Sequence, residues 1–419
     1  MSKIKLSTDR LTIGLYIQLP CSWGGHPFLF SSFKIQDQEQ IKALQSLDFS
    51  FVIYIPEKSD STPLPPREDI KNEEQADDGE NTYLNELWLE KERKVEEQKS
   101  YLRNLRKCEN DFKQSLSAVR AINLKLEHQA PQALTDAKEL VSGITAKLNK
   151  SNSTMLHLME EGQEGDKYHS HVFHVAILSM ILGKALALSE QELVYLGLGA
   201  LFHDLGKSKI PNQILHNRPQ ITPAENNYYK MHVRFALDKI NNIQGFPKSV
   251  SEIVSQHHEY LDGSGYPKKL SGDQISLLTQ IVTIANEYDN ICNPTNKHPS
   301  RTPYHALSYL YKNKSKQLNK EVLGLLIKEL GIYPPGCIVQ LSNEKLALVM
   351  SVSKENILQP NVMIYDPSIP KNDAPIISLS EKEITIEKVL VPARLPENIQ
   401  EYLNPRARVN YYFEHQEES

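Results

Sequence analysis

The sequence predicts a mainly α-helical protein, with a small mixed α/β domain towards its N-terminal end and a small β-rich extension towards its C-terminal end. Three observations carry that expectation. Residues 151–332 hold helix starts and stops in close succession, and a charge-dense, proline-free stretch runs from Leu84 to about Leu126. Short strand-like apolar runs, by contrast, gather near the two ends of the chain.

Taken in order, residues 1–56 read as the mixed domain. Leu15–Leu19 and Phe49–Ile55 are rich in β-branched and aromatic residues and predict strands, and Gln36–Leu47 predicts a short helix between them. Residues 57–82 carry Pro63, Pro65 and Pro66 and then an acidic run with almost no apolar side chains, which predicts a disordered linker. Residues 83–150 predict a charged helical segment. Its first helix, from Leu84 to about Leu126, has a narrow apolar stripe (Leu102, Leu105, Phe112, Leu116, Val119) that suits one partner helix, in cis or in a homodimer. Pro131 interrupts it, and a second helix is expected over Ala133–Leu148. Residues 151–334 predict the main helical domain. Ser189 with Glu192 and Thr222 with Glu225 fit capping boxes, Thr302-Pro303 has a cap-plus-proline form, and Gly206, Gly245 and Gly331 stand where helices should stop. Over 335–419, Ile338–Leu341, Ala347–Val352 and Val362–Tyr365 predict a β meander.

Composition narrows the function. The net charge is −5, with 47 basic and 52 acidic side chains, which argues against binding a nucleic-acid polymer. The four cysteines, Cys21, Cys108, Cys292 and Cys337, are scattered without a close pair, which fits a reducing compartment better than a disulfide framework or a zinc knot. The first residues lack the apolar core of a signal peptide, and no apolar run approaches the roughly 20 residues a bilayer needs. A cytoplasmic protein without a membrane partner is expected.

Chemistry concentrates in the helical domain. Histidines and acids recur as His171 and His174, His203-Asp204, His232, and His257-His258-Glu259. Asp204 follows the apolar run Leu196–Phe202, so it falls at a buried helix end, where a carboxylate needs a cation or donors to offset desolvation. Neutral imidazoles beside a carboxylate suit a borderline transition metal, and an Asp bridging two ions suits hydrolysis.

The residues His203-Asp204-Leu205-Gly206-Lys207 match the H-D-x-G-K core of HD-domain phosphohydrolases, and His257–Pro267 matches the H-H-E-x-x-D-G-x-G-Y-P signature of the HD-GYP subgroup. The chain resembles that subgroup along its length, including the small N-terminal domain and the extension after Gly331. The resemblance implies an HD-type helical bundle and a bacterial, metal-dependent phosphodiesterase that hydrolyses cyclic di-GMP to pGpG, which some members carry on to GMP. It implies His171, His203, Asp204, His232, His257, His258 and Asn286 as metal ligands, with Asp204 bridging. It also implies Lys207 as the lysine on the scissile phosphate, a catalytic role shared with Asp204. Gly263, Gly265, Tyr266 and Pro267 form the loop beside the substrate. Diguanylate cyclase (GGDEF) proteins are the implied partners.

Two departures from the pattern qualify the implied site. Lys167 stands where some members carry a glutamate for a third metal, so two divalent ions are expected, iron or manganese. Asn286 stands where the last ligand is usually an aspartate, and an amide brings no charge, so the first metal is expected to bind more weakly or to draw help from Asp289 or a water. An arginine usual after that segment is missing, with Lys297 or Arg301 as substitutes. The competing reading is a catalytically weak or inactive cyclic di-GMP receptor or partner-binding module. His174 is not expected to be required, Cys292 is expected to be a packing residue, and Glu259 and Asp262 are expected to shape the loop. Tyr266 is expected either to stack on a guanine or to close the loop.

Overall fold

The structure is a computed structural model that describes residues 2–66, 78–150, 156–158, 167–216, 222–294, 299–352, 356–381, 384–403 and 411–413. The chain divides into two compact units, residues 1–102 with 364–376, and residues 103–363 with 377–419. The first unit opens with β1 (Ile4–Leu6), β2 (Tyr16–Gln18), β3 (Ser32–Lys34), α1 (Gln38–Ser46) and β4 (Val52–Tyr54). These strands form an antiparallel sheet in the order β1-β4-β2-β3. Leu15, Ile17, Leu44 and Val52 are wholly buried in its core. The predicted strands at 15–19 and 49–55 and the helix at 36–47 are present, while β1 and β3 were not foreseen because each alternates for only three residues.

The helix α2 (Asp78–Lys125) runs for 48 residues. It starts inside the stretch read as a linker, whose residues 67–77 lie outside the described residues. In its first part Lys91 is buried. Its ammonium donates to the carbonyls of Trp23 and of His26, the latter at 2.6 Å, and lies 4.2 Å from the Trp23 ring centre. In its second part Cys108, Phe112, Leu116, Val119, Ile122 and Leu126 join the core of the second unit, so from Cys108 onward the apolar stripe packs in cis.

The second unit continues with α3 (Ala130–Lys150), β5 (Leu156–Leu158), α4 (Lys167–Ala185) and α5 (Glu190–Phe202). A 3-10 turn over Leu205–Lys209 leads to α6 (Asn212–His216), α7 (Pro223–Lys230), α8 (His232–Ile240) and α9 (Lys248–Gln256), and then come α10 (Leu277–Cys292), α11 (Pro303–Asn313) and α12 (Lys320–Leu330). Helix α4 packs on α5, α10 and α12, and α9 packs on α5, α8 and α10. Both predicted capping boxes form, at Ser189 and Thr222, and Thr302 caps α11 with Pro303 in its first turn. Gly331 caps α12 with φ +78°, as a helix-stop glycine should, whereas α8 ends at Ile240 with Asn241 as its cap and Gly245 lies in the turn beyond. Gly206 does not stop a helix. It lies within the 3-10 turn, where a Cβ would meet the His232 carbonyl oxygen at 1.9 Å, so its lack of a side chain lets α8 approach.

Two further corrections concern strands. The stretch 151–332 is not wholly helical, because β5 breaks it. The C-terminal part holds β6 (Ile338–Leu341), β7 (Leu346–Ser351), β8 (Asn361–Ile364), β9 (Ile376–Ser378), β10 (Ile386–Leu390), α13 (Glu397–Leu403) and β11 (Tyr411–Phe413). Its sheet runs β10-β6-β7-β8-β9, so the meander is closed on one side by a strand that returns to β6. β11 leaves that sheet and pairs antiparallel with β5, with Tyr411, Tyr412 and Phe413 buried in the helical core. No helix among the described residues is long and apolar enough to cross a membrane.

Candidate metal centre

Helix ends bring the polar residues together. α4 supplies His171 and His174 from a buried face, and α5 runs apolar to Phe202 and then delivers His203 and Asp204 at its C-terminal end. α8 opens with His232, and α9 ends into His257 and His258. All of these side chains are buried. Asp204 belongs to two groups whose ligand atoms lie within 4.8 Å of one another: His171, His203 and Asp204, and Asp204, His232, His257 and His258. The Asp204 carboxylate lies 3.2 Å from His171 Nε2, 3.3 Å from His203 Nε2, 3.6 Å from His232 Nε2 and 3.8 Å from His257 Nε2.

The imidazoles present lone pairs to this centre. His203 Nδ1 lies 2.6 Å from the Ala200 carbonyl oxygen, His232 Nδ1 2.7 Å from that of Tyr229, and His257 Nδ1 2.9 Å from that of Val254. A carbonyl only accepts, so each Nδ1 carries the hydrogen and each Nε2 is left as a ligand atom. The consequence shows between His232 and His257, whose Nε2 atoms face each other at 3.4 Å. Two lone pairs at that distance repel unless a cation lies between them. The Nε2 atoms of His171, His203 and His258 and Oδ1 of Asp204 are buried without a hydrogen-bond partner among the described residues. Such orphaned atoms cost about 1–3 kcal/mol each. This donor set, nitrogen-rich with one shared carboxylate, fits divalent metal ions.

Burial holds the imidazoles neutral: it pulls His232 down to about 4 and His257 and His258 well below the usual histidine range. For His171 burial pulls the same way, but the Asp204 and Asp289 carboxylates on either side of its ring outweigh it and raise its pKa. Burial works against an ionised Asp204, yet the field of His203 and the Lys207 ammonium holds the carboxyl well below its ordinary value. Lys207, nearly buried, lies 2.5 Å from Asp204 and 5.6 Å from the Tyr229 ring centre. Burial would lower its pKa, but the Asp204 carboxylate dominates and raises it, so the ammonium stays charged.

The signature loop sits beside these groups. Tyr266 stacks on His258, with ring centres 4.6 Å apart, and the Lys230 ammonium lies 5.0 Å from the Tyr266 ring centre. Gly263 has φ +76°, and a Cβ on Gly265 would lie 2.5 Å from the His258 carbonyl oxygen. Pro267, which follows, is exposed. Glu259 accepts from the backbone N–H groups of Lys268 and Leu270, and Asp262 from those of the Ser264 backbone and hydroxyl, so both acids shape the loop. Asn286 is buried on α10, and among the described residues its side chain's hydrogen-bond partner is Asn290 at 2.7 Å. Arg301 is exposed and covers the Tyr309 ring, while Lys297 lies outside the described residues.

Asp289, weighed from the sequence together with a water as help for the first metal, sits behind His171 rather than within either donor group. Wholly buried on α10, its two oxygens meet His171 Nδ1 and His174 Nδ1, each at 2.5 Å. These imidazole contacts overcome burial and hold the carboxyl far below its usual range. One helical turn separates it from Asn286, and the spacing of His171 and His174 by three residues was the available signal.

The fold and the cluster define a histidine-rich helical bundle with a carboxylate shared between two groups of donors. Residues 130–322 match the HD domain family, and residues 3–137 match a domain of unknown function (DUF3391). Within that HD-domain match, His257–Pro267 carries the signature of the HD-GYP subgroup. It is 26% identical over 231 residues to the cyclic di-GMP phosphodiesterase PA4108 of Pseudomonas aeruginosa, covering 55% of each chain. It is 29% identical over 164 residues to the 3'3'-cGAMP-specific phosphodiesterase 3 of Vibrio cholerae, covering 39% of this chain and 35% of that one. It is 28% identical over 228 residues to the cyclic di-GMP phosphodiesterase PdeB of Borreliella burgdorferi, covering 53% and 60%. In each case the chain spans less than two thirds of the relative's length.

Proposed function

We propose that the protein is a metal-dependent phosphodiesterase that hydrolyses cyclic di-GMP, with pGpG or GMP as its end product. The observation that carries this reading is Asp204, shared between two sets of buried imidazole lone pairs. In it, His171, His203 and Asp204 hold one divalent ion, and Asp204, His232, His257 and His258 hold a second, iron or manganese. Asn286 is a neutral corner of the first site. Bound ions of this kind supply Lewis acidity and a more acidic water near neutral pH. The chain's own contribution is orientation and charge. The backbone carbonyls behind His203, His232 and His257 fix the tautomers, and the Lys207 ammonium beside Asp204 suits a phosphate oxygen. Gly263, Gly265, Tyr266 and Pro267 line the substrate side, with Tyr266 held by His258 and available to a base on its other face.

Relatives named for 3'3'-cGAMP support a test that is not confined to one dinucleotide. Protein loaded with iron or with manganese is incubated with cyclic di-GMP and with 3'3'-cGAMP, and products are separated by chromatography. Cyclic di-GMP turnover at the higher rate is expected, and the absence of pGpG and GMP under every metal condition would overturn the reading. The same proposal includes a diguanylate cyclase (GGDEF) protein as the source of substrate. It also includes a homodimer through the 84–126 helix; sedimentation analysis checks the latter.

A further inference from the structure

Helix α10 carries a carboxylate that the metal-centre reading leaves idle. Asp289 is wholly buried, yet it makes no contact with the two donor groups except through His171. Its Oδ2 lies 2.5 Å from His171 Nδ1, and its Oδ1 lies 2.5 Å from His174 Nδ1 and 2.7 Å from the Asn293 amide nitrogen. We propose that Asp289 is a positioning residue of the metal centre: it fixes the hydrogen of His171 on Nδ1, aims its Nε2 at Asp204, and passes negative charge through that ring to the ion.

The geometry requires each part of this. An ionised carboxylate only accepts, so the facing Nδ1 must carry the hydrogen, and His171 Nε2, 3.2 Å from Asp204, is the lone pair of the ring. Within the two donor groups, His203, His232 and His257 rest their Nδ1 on backbone carbonyls, which are neutral, whereas His171 rests on a carboxylate. The donor groups hold one carboxylate, Asp204, so Asp289 provides the second negative charge at one ring's remove. His174 and Asn293 grip the opposite oxygen and stop the carboxylate from rotating away. That accounts for a second buried histidine on α4 whose Nε2 has no partner among the described residues.

This inference rests on the metal-centre reading, and its test separates the two. In Asp289→Asn, Asn293 and His174 still donate to Oδ1, which turns the new amide NH2 towards His171. An N–H there forces His171 Nδ1 to become the acceptor, and its hydrogen moves to Nε2, the atom that should meet the ion. Manganese and iron affinities of the full chain are measured by competition with a chromophoric chelator, and imidazole nitrogen spectra are recorded on metal-free protein. The His171 signal is identified by its loss in His171→Gln. Asp289→Asn is expected to lose about 10- to 100-fold in affinity with its helical circular dichroism unchanged, and to move the His171 hydrogen to Nε2. Affinity within twofold of the parent would overturn the proposal, and so would a parent spectrum with the His171 hydrogen on Nε2 alone, a result that needs no variant to fold. A parent protein that binds neither ion would overturn the metal-centre reading beneath it, and the proposal with it.

Discussion

Gly206 shows how a residue without a side chain serves the site. The 1.9 Å approach to the His232 carbonyl leaves no room for a methyl group, and the obstruction is backbone rather than a flexible side chain. Gly206→Ala is expected to cost about 3 kcal/mol in urea unfolding and to push His232 out of the donor group; a loss below about 0.5 kcal/mol would contradict the packing described. Lys91 gives a second residue-scale expectation. Burial pulls its pKa down to about 8, below its ordinary value of 10.5. Between those limits the unfolded chain binds the proton and the folded chain does not, so this group's contribution to stability rises with pH across that window. Lys91→Met should remove that rise, seen as the parent gaining stability relative to the variant from pH 7.5 to pH 9.5.

At the scale of elements, α5 couples a cap to chemistry. Its Ser189–Glu192 capping box sets the start of a helix whose far end presents His203 and Asp204. Ser189→Ala is expected to cost about 1 kcal/mol in thermal or denaturant unfolding, with the donor residues unchanged. This element was legible in the sequence because caps and apolar runs are local signals. The same holds for α7 with its Thr222–Glu225 box, and for the strands at 15–19 and 49–55. β5 and β11 were not legible: three residues have no period, and what makes them strands is each other, from 253 positions apart at Leu158 with Tyr411 to 257 at Leu156 with Phe413. Gly206 misled for a related reason. A glycine after an apolar helix reads as a stop signal, whereas its actual constraint is a neighbour on α8. Among site residues, the histidines and Asp204 stood out by motif. The role of Asp289 depends on α10 lying against α4, a tertiary fact that the spacing of His171 and His174 hints at but does not place.

At the scale of the whole molecule, a centre with several orphaned donors links metal to stability. An ion that binds the folded chain alone stabilises it by roughly 2.7 kcal/mol at about 100 times its Kd. Stripping divalent ions with a chelator is therefore expected to lower the melting temperature by several degrees, and restoring manganese to recover it; a melting curve indifferent to both would argue against a closed metal centre. The pairing of β5 with β11 bears on how the protein is made. Tyr411, Tyr412 and Phe413 fill the helical core beside α4 and are wholly buried there. A ribosome delivers them more than two hundred residues after the helix they support. Until then the nascent chain carries its metal-binding helices around an unfilled groove, so completion of the core, and with it a tight site, waits on the late arrival of a three-residue strand.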